Sequence, residues 1–205
     1  MSITREVKER HRAELRREIL QAARELLRAE GYEKFTLRKL GRLVQCSPVA
    51  LYSYFADKRA IVTPLAQEAF ELLAVRLDQS RAKDPLSSLR QVLRAYIAYA
   101  EENPLEYRLL FLESQRVKCQ QSRDEMRNSR SAFSLLFRCV ETCSEAGVFR
   151  GDAFAVTTIL WTGVHGAATV LLNEPNFPFV SRERFAEEIV ETLLSGIRNV
   201  VTGSI

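Results

Sequence analysis

A segment near residue 50 combines apolar positions with side chains that can donate hydrogen bonds. Leu51 and Phe55 are four residues apart, so on a helix both lie on the same, inward face. Tyr52 and Tyr54 carry hydroxyl groups on long rings, and Lys58 adds a positive charge shortly afterwards. Such groups can bind the phosphate oxygens of a nucleic-acid backbone. The other outward side chains are small enough to approach base edges, and these are Val49, Ala50 and Ser53.

Two short helices must hold these side chains in place. Thr36 is a suitable N-cap for the first helix, and Ser47 followed by Pro48 is typical of the start of the second. Only Gln45 and Cys46 lie between the two helical patterns. Because helices joined so tightly must cross at a large angle, the sequence predicts a helix-turn-helix. The second helix of such a motif lies in the major groove of DNA.

The rest of the chain shows helical periodicity and no convincing strand pattern, which predicts an all-α protein. The first helix should end at Gly31, and Asp57 is the expected cap of a long fourth helix. From there on, helices are predicted at Lys58–Ser80, Pro85–Glu102, Pro104–Ser114, Ser122–Ala146, Ala153–Leu172 and from Ser181 onwards.

Positive charge is concentrated at the N-terminal end. Residues 1–60 contain 14 Lys/Arg and 8 Asp/Glu, a net charge of +6, whereas the remainder has a net charge of −2. This asymmetry favours a polyanionic partner for the first segment, although a solvated helix surface explains the composition equally well. Four cysteines without a CxxC pair, and an opening segment without a signal-peptide pattern, predict a reduced, cytoplasmic location. With two histidines and no ligand-spaced cluster, we expect no metal site and no cofactor.

One uncharged stretch, from Ala153 to Leu172, has about the length that spans a bilayer. Threonines and His165 interrupt it, and Gly163 and Gly166 suit close helix packing. We therefore favour a buried helix of a soluble protein over a membrane span or a membrane-associated adaptor. A helical enzyme that uses His165 or a cysteine is a further alternative. No nucleophile-elbow motif or metal pattern supports it, so we predict that the chain is not an enzyme.

Residues 36–61 resemble the DNA-binding segment of the tetracycline-repressor (TetR) family. In that family a Thr opens the second helix, a Ser ends the turn, and a Leu-Tyr-x-Tyr/His-Phe helix is followed by a Lys. The matching residues here are Thr36, Gly41, Ser47, Leu51, Tyr52, Tyr54, Phe55 and Lys58. The resemblance implies a three-helix DNA-binding domain at residues 1–57. A helical bundle for regulation and dimerisation would follow at residues 58–205.

The same resemblance implies roles for individual residues. Phosphate contacts are expected from Thr36, Tyr52, Tyr54 and Lys58, and base-edge contacts from Pro48, Val49, Ala50 and Ser53. Ser47 and Gln45 complete this candidate surface. Gln45 stands where the family usually has Gly, and a positive φ at this position is more costly for Gln. Its amide either contacts DNA or lies in solvent. The basic N-terminal arm, which includes Arg12 and Arg16, either reaches DNA or is an exposed extension of the first helix.

Two further segments, Glu102–Arg108 and Trp161-x-x-x-His165-Gly166, resemble the regulatory domain of TetR-type proteins with a Trp-His-Gly motif. That resemblance implies an effector pocket and a dimer formed by the last two helices. The candidate ligand-binding residues are Tyr96, Tyr99, Tyr107, Phe111, Phe133, Phe137, Trp161 and His165, each of which can instead belong to the core. Cys139 and Cys143 share a helix face, where packing is favoured over a redox switch.

Together, the helix-turn-helix residues and the family resemblance predict a DNA-binding transcriptional regulator. The leading hypothesis is a homodimeric repressor that a small, partly apolar effector releases from near-palindromic operator DNA.

Overall fold

The structure, a computed structural model, describes residues 2–114, 122–124, 131–174, 176–178 and 181–202. Within these ranges it is helical and contains no strand, which confirms the predicted all-α fold. The helices are α1 (Ser2–Lys34), α2 (Leu37–Leu43), α3 (Pro48–Tyr54), α4 (Lys58–Gln79), α5 (Pro85–Glu102), α6 (Pro104–Ser114), α7 (Ala132–Glu145), α8 (Ala153–Asn173) and α9 (Arg182–Thr202).

Local capping signals set the helix boundaries of the N-terminal unit. The backbone N–H three residues further on donates to each capping side chain, at 3.3 Å for Thr36, 3.1 Å for Ser47 and 2.7 Å for Asp57. Gly31 interrupts α1 with a φ of 77°, a conformation that glycine adopts without a steric penalty. The predicted starts of α2, α3 and α4 are therefore confirmed, as is the break at Gly31.

Helices α1 to α3 and the start of α4 enclose a small apolar core, called here the first core. Its largest fully buried side chains are Ile19, Leu27, Phe35, Leu40, Leu51, Phe55 and Ile61. Burial of each such side chain contributes about 1.5–3 kcal/mol relative to leaving it exposed. Because these residues come from four helices and from the connections after α1 and α3, the first core fixes the direction in which α3 presents its outer face.

The larger second core lies among α5, α7, α8 and α9. Helix α8 packs against the other three and buries Leu160, Val164 and Leu171 in this core. Among the described helices, α8 is the one that is long and apolar enough to cross a membrane. Its burial against three neighbours favours the predicted interpretation as a core helix.

Two helices belong to both cores. In α4, Leu65 lies in the first core and Leu77 in the second. In α6, Leu109 contributes to the first core, whereas Tyr107 and Leu110 contribute to the second. The two cores are therefore connected by continuous helices rather than by a linker.

The predicted helix from Ser122 to Ala146 agrees with the structure at Arg123 and Asp124, which are helical, but it is wrong in running unbroken through Ser131. Ser131 has extended backbone (φ −99°, ψ 162°), and its hydroxyl oxygen accepts the N–H of Ser134, so α7 begins at Ala132. Residues 115–121 and 125–130, which complete this part of the prediction, lie outside the described residues.

Candidate functional site

The turn between α2 and α3 contains a left-handed residue at Gln45, the position at which a positive φ is more costly for Gln than for Gly. Gln45 has a φ of 52°, and among the described residues it is the non-glycine residue with a positive φ. The N–H of Cys46 donates to the carbonyl oxygen of Gly41 at 2.9 Å. A Cβ on Gly41 would lie 3.0 Å from the Cys46 carbonyl oxygen, so the turn folds back onto a position that only glycine fits without a shift.

Helix α3 separates its residues into a buried and an exposed face. Leu51 and Phe55 are buried in the first core. Val49 is 82% exposed and Tyr52 55% exposed, and Ser53 is exposed beside them. The Ser53 hydroxyl donates to the Ala50 carbonyl at 2.7 Å. The outer face is thus mostly apolar and small, with one long phenol.

Thr36 and Ser47, whose hydroxyls cap α2 and α3, are exposed, and Gln45 in the turn between them is exposed too. As caps, both hydroxyl oxygens accept a hydrogen bond from the backbone, so each keeps its hydrogen for donation to another group. Pro48 is the first residue of α3, and its side chain is not among the described parts of the structure.

Two arginines of the N-terminal arm contact the end of α3. The guanidinium of Arg12 donates to the Ser53 carbonyl at 3.2 Å and lies 5.6 Å from the centre of the Tyr54 ring. Arg16 lies 5.1 Å from the ring centre of Phe55. These contacts support the last turn of α3, where carbonyl groups lack helical partners. Sequence reasoning did not find this role, because the residues are about 40 positions apart.

Lys58 is held at the corner between α1 and α2. Its Nζ donates to the Tyr32 carbonyl at 2.5 Å and lies 3.6 Å from the centre of the Tyr32 ring. The Phe35 ring is 5.7 Å away. The amine therefore links the start of α4 to the end of α1, a contact for which the sequence gives no local signal.

The predicted ligand-binding aromatics separate into two groups. The first group surrounds His165. Its imidazole stacks on Trp161, with an angle of 9° between the ring planes and 5.6 Å between the ring centres, and its ring centre is 4.1 Å from that of Phe111. The Tyr107 hydroxyl is 2.6 Å from His165 Nδ1, and the Tyr96 hydroxyl is 3.4 Å from the same atom. These five side chains form one contiguous cluster.

The second group lies apart from His165. The Tyr99 hydroxyl donates to the Ala69 carbonyl of α4 at 3.1 Å. Phe133 and Phe137 instead contact Phe154 at the start of α8, at 5.4 and 6.3 Å between ring centres. Phe133 also reaches the edge of Trp161, at 6.2 Å.

A cleft of about 1020 Å³ opens beside the His165 cluster. It lies between the end of α1, helix α6 and the second half of α8. Tyr107, Phe111 and His165 line it, together with the Arg28–Glu106 ion pair, whose atoms are 3.0 Å apart. Sequence reasoning missed the contribution of α1, since residues 28 and 106 become neighbours only in the folded chain.

Burial changes the protonation of the cluster. Desolvation lowers the pKa of His165, so the imidazole is neutral at pH 7. Desolvation also raises the pKa of Tyr96 to about 12 and raises that of Tyr107. Both phenols thus keep their protons and can donate hydrogen bonds. In the described part of the chain, no group of three His, Cys, Asp or Glu side chains is placed to hold a metal ion.

Comparison with known proteins gave two family matches. Residues 19–64 match the family described as bacterial regulatory proteins, tetR family. Residues 89–193 match the tetracyclin repressor-like C-terminal domain.

Individual relatives and solved structures agree with these matches. The chain is 37% identical over 98 residues to the nucleoid occlusion factor SlmA of Vibrio cholerae, covering 46% of this chain and 50% of that protein. It spans about half the length of the curated relatives that it matches. A structure of a protein with unknown function from Rhodococcus sp. RHA1 superposes with a TM-score of 0.75 at 21% identity, covering 90% of this chain and 95% of that one. A bacterial regulatory protein in the tetR family from Rhodococcus RHA1 superposes with a TM-score of 0.68 at 20% identity, covering 89% of this chain and 96% of that one.

Proposed function

Since the chain belongs to the tetracycline-repressor family of bacterial regulatory proteins, we propose that it is a DNA-binding transcriptional regulator. The family is one of regulators and not of enzymes, as the sequence predicted. The observation that carries the proposal is the outer face of α3. It exposes Val49, Tyr52 and Ser53 while Leu51 and Phe55 anchor the helix in the first core.

In this proposal α3 enters the major groove. The hydroxyls of Thr36, Tyr52 and Tyr54 bind phosphates, whereas Val49 and Ala50 meet base edges, mainly thymine methyl groups. Pro48 and Ser53 complete the base-facing set, and Ser47 and Gln45 lie at its edge. Lys58, whose ammonium group already donates one hydrogen bond to the Tyr32 carbonyl, completes the phosphate-facing set.

The functional unit in this proposal is a homodimer formed through α8 and α9. Ile159 and Val170 on α8 are 52% and 39% exposed, and Gly166 lies on the same helix face between them with open space beside its Cα. An apolar face with a small central residue suits close packing of a second copy. We expect Ile159→Glu to shift the molar mass in light scattering toward the monomer. Leu72→Glu, at an exposed apolar position of α4, is the matched control.

We also propose that the regulator is a cytoplasmic repressor. A small effector bound in the cleft would cause it to dissociate from its operator DNA. Helix α6 lines the cleft through Tyr107 and Phe111 and reaches the first core through Leu109. The Arg28–Glu106 ion pair joins α6 to α1. A molecule that displaces α6 would therefore move the end of α1 and change the separation of the two α3 helices.

The test is binding to the DNA upstream of the chain's own gene, measured by fluorescence anisotropy at several salt concentrations. We expect affinity to fall steeply with salt, and Tyr52→Phe to weaken binding about three- to tenfold on every sequence tested. Thr142→Val, at an exposed hydroxyl near the end of α7, is the control. Binding without salt dependence, or a Tyr52→Phe effect confined to one base position, would contradict the proposed phosphate contact.

A further inference from the structure

We propose that the cleft beside His165 binds an uncharged, planar molecule that carries a hydrogen-bond-accepting oxygen, and that the His165 Nε2–H donates to this oxygen. The inference deepens the proposed function, on which it rests, because it names the chemical class of the effector. Three properties of the site carry it, namely the direction of the Tyr107–His165 hydrogen bond, the fixed orientation of the donor among apolar walls and the charges at the rim.

The first property is the tautomer of His165. The Tyr107 oxygen is 2.6 Å from Nδ1, which is short for a bond donated by N–H but ordinary for one donated by O–H. Tyr107 keeps its proton and the imidazole is neutral. The single hydroxyl hydrogen faces two acceptors, Nδ1 at 2.6 Å and the Tyr96 oxygen at 3.5 Å, and the much shorter contact assigns it to Nδ1. The ring hydrogen must then be on Nε2. Among the described residues, Nε2 has no hydrogen-bond partner, so a donor is left for a ligand.

The second property is the fixed orientation of this donor. Trp161 stacks on the imidazole, and Phe111 contacts it at 4.1 Å between ring centres. Together with the Tyr107 bond, these contacts hold the ring in one position, which reduces the entropy lost when a ligand binds. Phe111, Leu27 and Leu172 give the cleft apolar walls. A flat apolar molecule fits such walls, and one acceptor oxygen satisfies the single donor.

The third property is the charge of the rim. Four carboxylates and two guanidiniums border the cleft, namely Glu30, Glu33, Glu102, Glu106, Arg28 and Arg108. An anionic ligand would meet this excess of carboxylates, while both guanidiniums already donate to protein oxygens. A cationic ligand would gain little, because three of the four carboxylates already pair with Arg or Lys. The rim therefore favours an uncharged ligand.

Three naphthalene probes of similar size test these properties by isothermal titration calorimetry on the full chain. 2-Acetylnaphthalene is uncharged and carries an acceptor, 2-ethylnaphthalene lacks the acceptor, and 2-naphthoate carries a negative charge. We expect the ketone to bind about tenfold more tightly than either of the others. His165→Phe keeps an aromatic ring against Trp161 and should remove this preference. His11→Phe, at the chain's other histidine on the exposed arm, should leave it unchanged.

A second variant keeps the proposal falsifiable if His165→Phe unfolds the chain. Tyr107→Phe removes the hydroxyl that fixes the tautomer, and we expect it to reduce the preference for the ketone two- to fivefold while the ethyl compound binds as before. Equal binding of the three probes, no binding of the ketone, or tighter binding of the naphthoate would overturn the proposal. Operator binding is measured separately by anisotropy. A chain that binds the ketone but not DNA would refute the regulator and leave the ligand class standing, and the reverse result would refute the ligand class alone.

Discussion

Replacement of Gln45 by glycine should stabilise the protein. Gln45 has a φ of 52°, and an L-residue in this left-handed region costs about 1–2 kcal/mol relative to ordinary backbone. Glycine removes that cost but adds about 0.4–1 kcal/mol of conformational entropy to the unfolded chain. The midpoints of these two ranges differ by about 0.8 kcal/mol, so we expect a net stabilisation of about 0.5–1 kcal/mol. For a chain of this length, this corresponds to a rise in Tm of about 1–4 °C.

The assay is urea unfolding at 25 °C followed by circular dichroism, with Gln45→Ala as the matched control. Alanine keeps a Cβ and the strained φ but lacks the amide, so its stability should stay within about 0.5 kcal/mol of the wild type. If the glycine variant is no more stable than the alanine variant, the strain at residue 45 is not the cost that the φ value implies. DNA binding by the same pair of variants isolates the amide, because a DNA contact by Gln45 would be lost equally in both.

Three further predictions concern positions that the fold brings under constraint. Gly41→Ala should destabilise the chain by about 1–3 kcal/mol in urea, because its Cβ would lie 3.0 Å from a backbone oxygen of the turn. Lys58→Met should lower the free energy of unfolding by about 1–2 kcal/mol, because the hydrogen bond to the Tyr32 carbonyl is lost. Lys83→Met, in the exposed α4–α5 connection, should lower it by less than about 0.5 kcal/mol. Burial lowers the pKa of His165, so below about pH 6.5 the unfolded chain takes up a proton that the folded chain resists. The free energy of unfolding should therefore decrease as the pH is lowered through this range. His165→Gln should flatten this fall between pH 7.5 and 5.5 in urea titrations, and an unchanged slope would contradict the assignment.

The helix-turn-helix could be predicted because its signals are local. Thr36, Ser47 and Asp57 each bond to a backbone N–H three residues away, so the capping pattern is written in short stretches of sequence. The family resemblance marked residue 45 only as a place where a positive φ would be costly for Gln, and the structure has a φ of 52° there. The interruption at Ser131 was missed because this capping residue has no neighbouring Pro or Gly, and residues 122–131 are polar apart from Met126, so no apolar pattern marks where a helix stops.

The cleft could be predicted only in part. Spacing places Trp161 and His165 on one face of α8, but it does not reveal which other aromatics meet them. Tyr99 has the same chemistry as Tyr107, yet its hydroxyl bonds to a carbonyl of α4 instead of to the imidazole. That difference depends on how α4 and α6 pack around α5. Tertiary packing of this kind leaves no mark in the periodicity of a single helix.

The sharing of α4 and α6 between the two cores bears on how the protein unfolds. A fragment that stops at residue 57 would lose Ile61, Val62, Leu65 and Leu109 from the first core and expose the apolar surface that they cover. The helix-turn-helix and the first core therefore do not form an independent folding unit. Heat or urea should unfold the first and second cores in a single cooperative transition. A destabilising substitution deep in the second core would then also lower the fraction of molecules with a folded helix-turn-helix, even when every residue of α3 is intact.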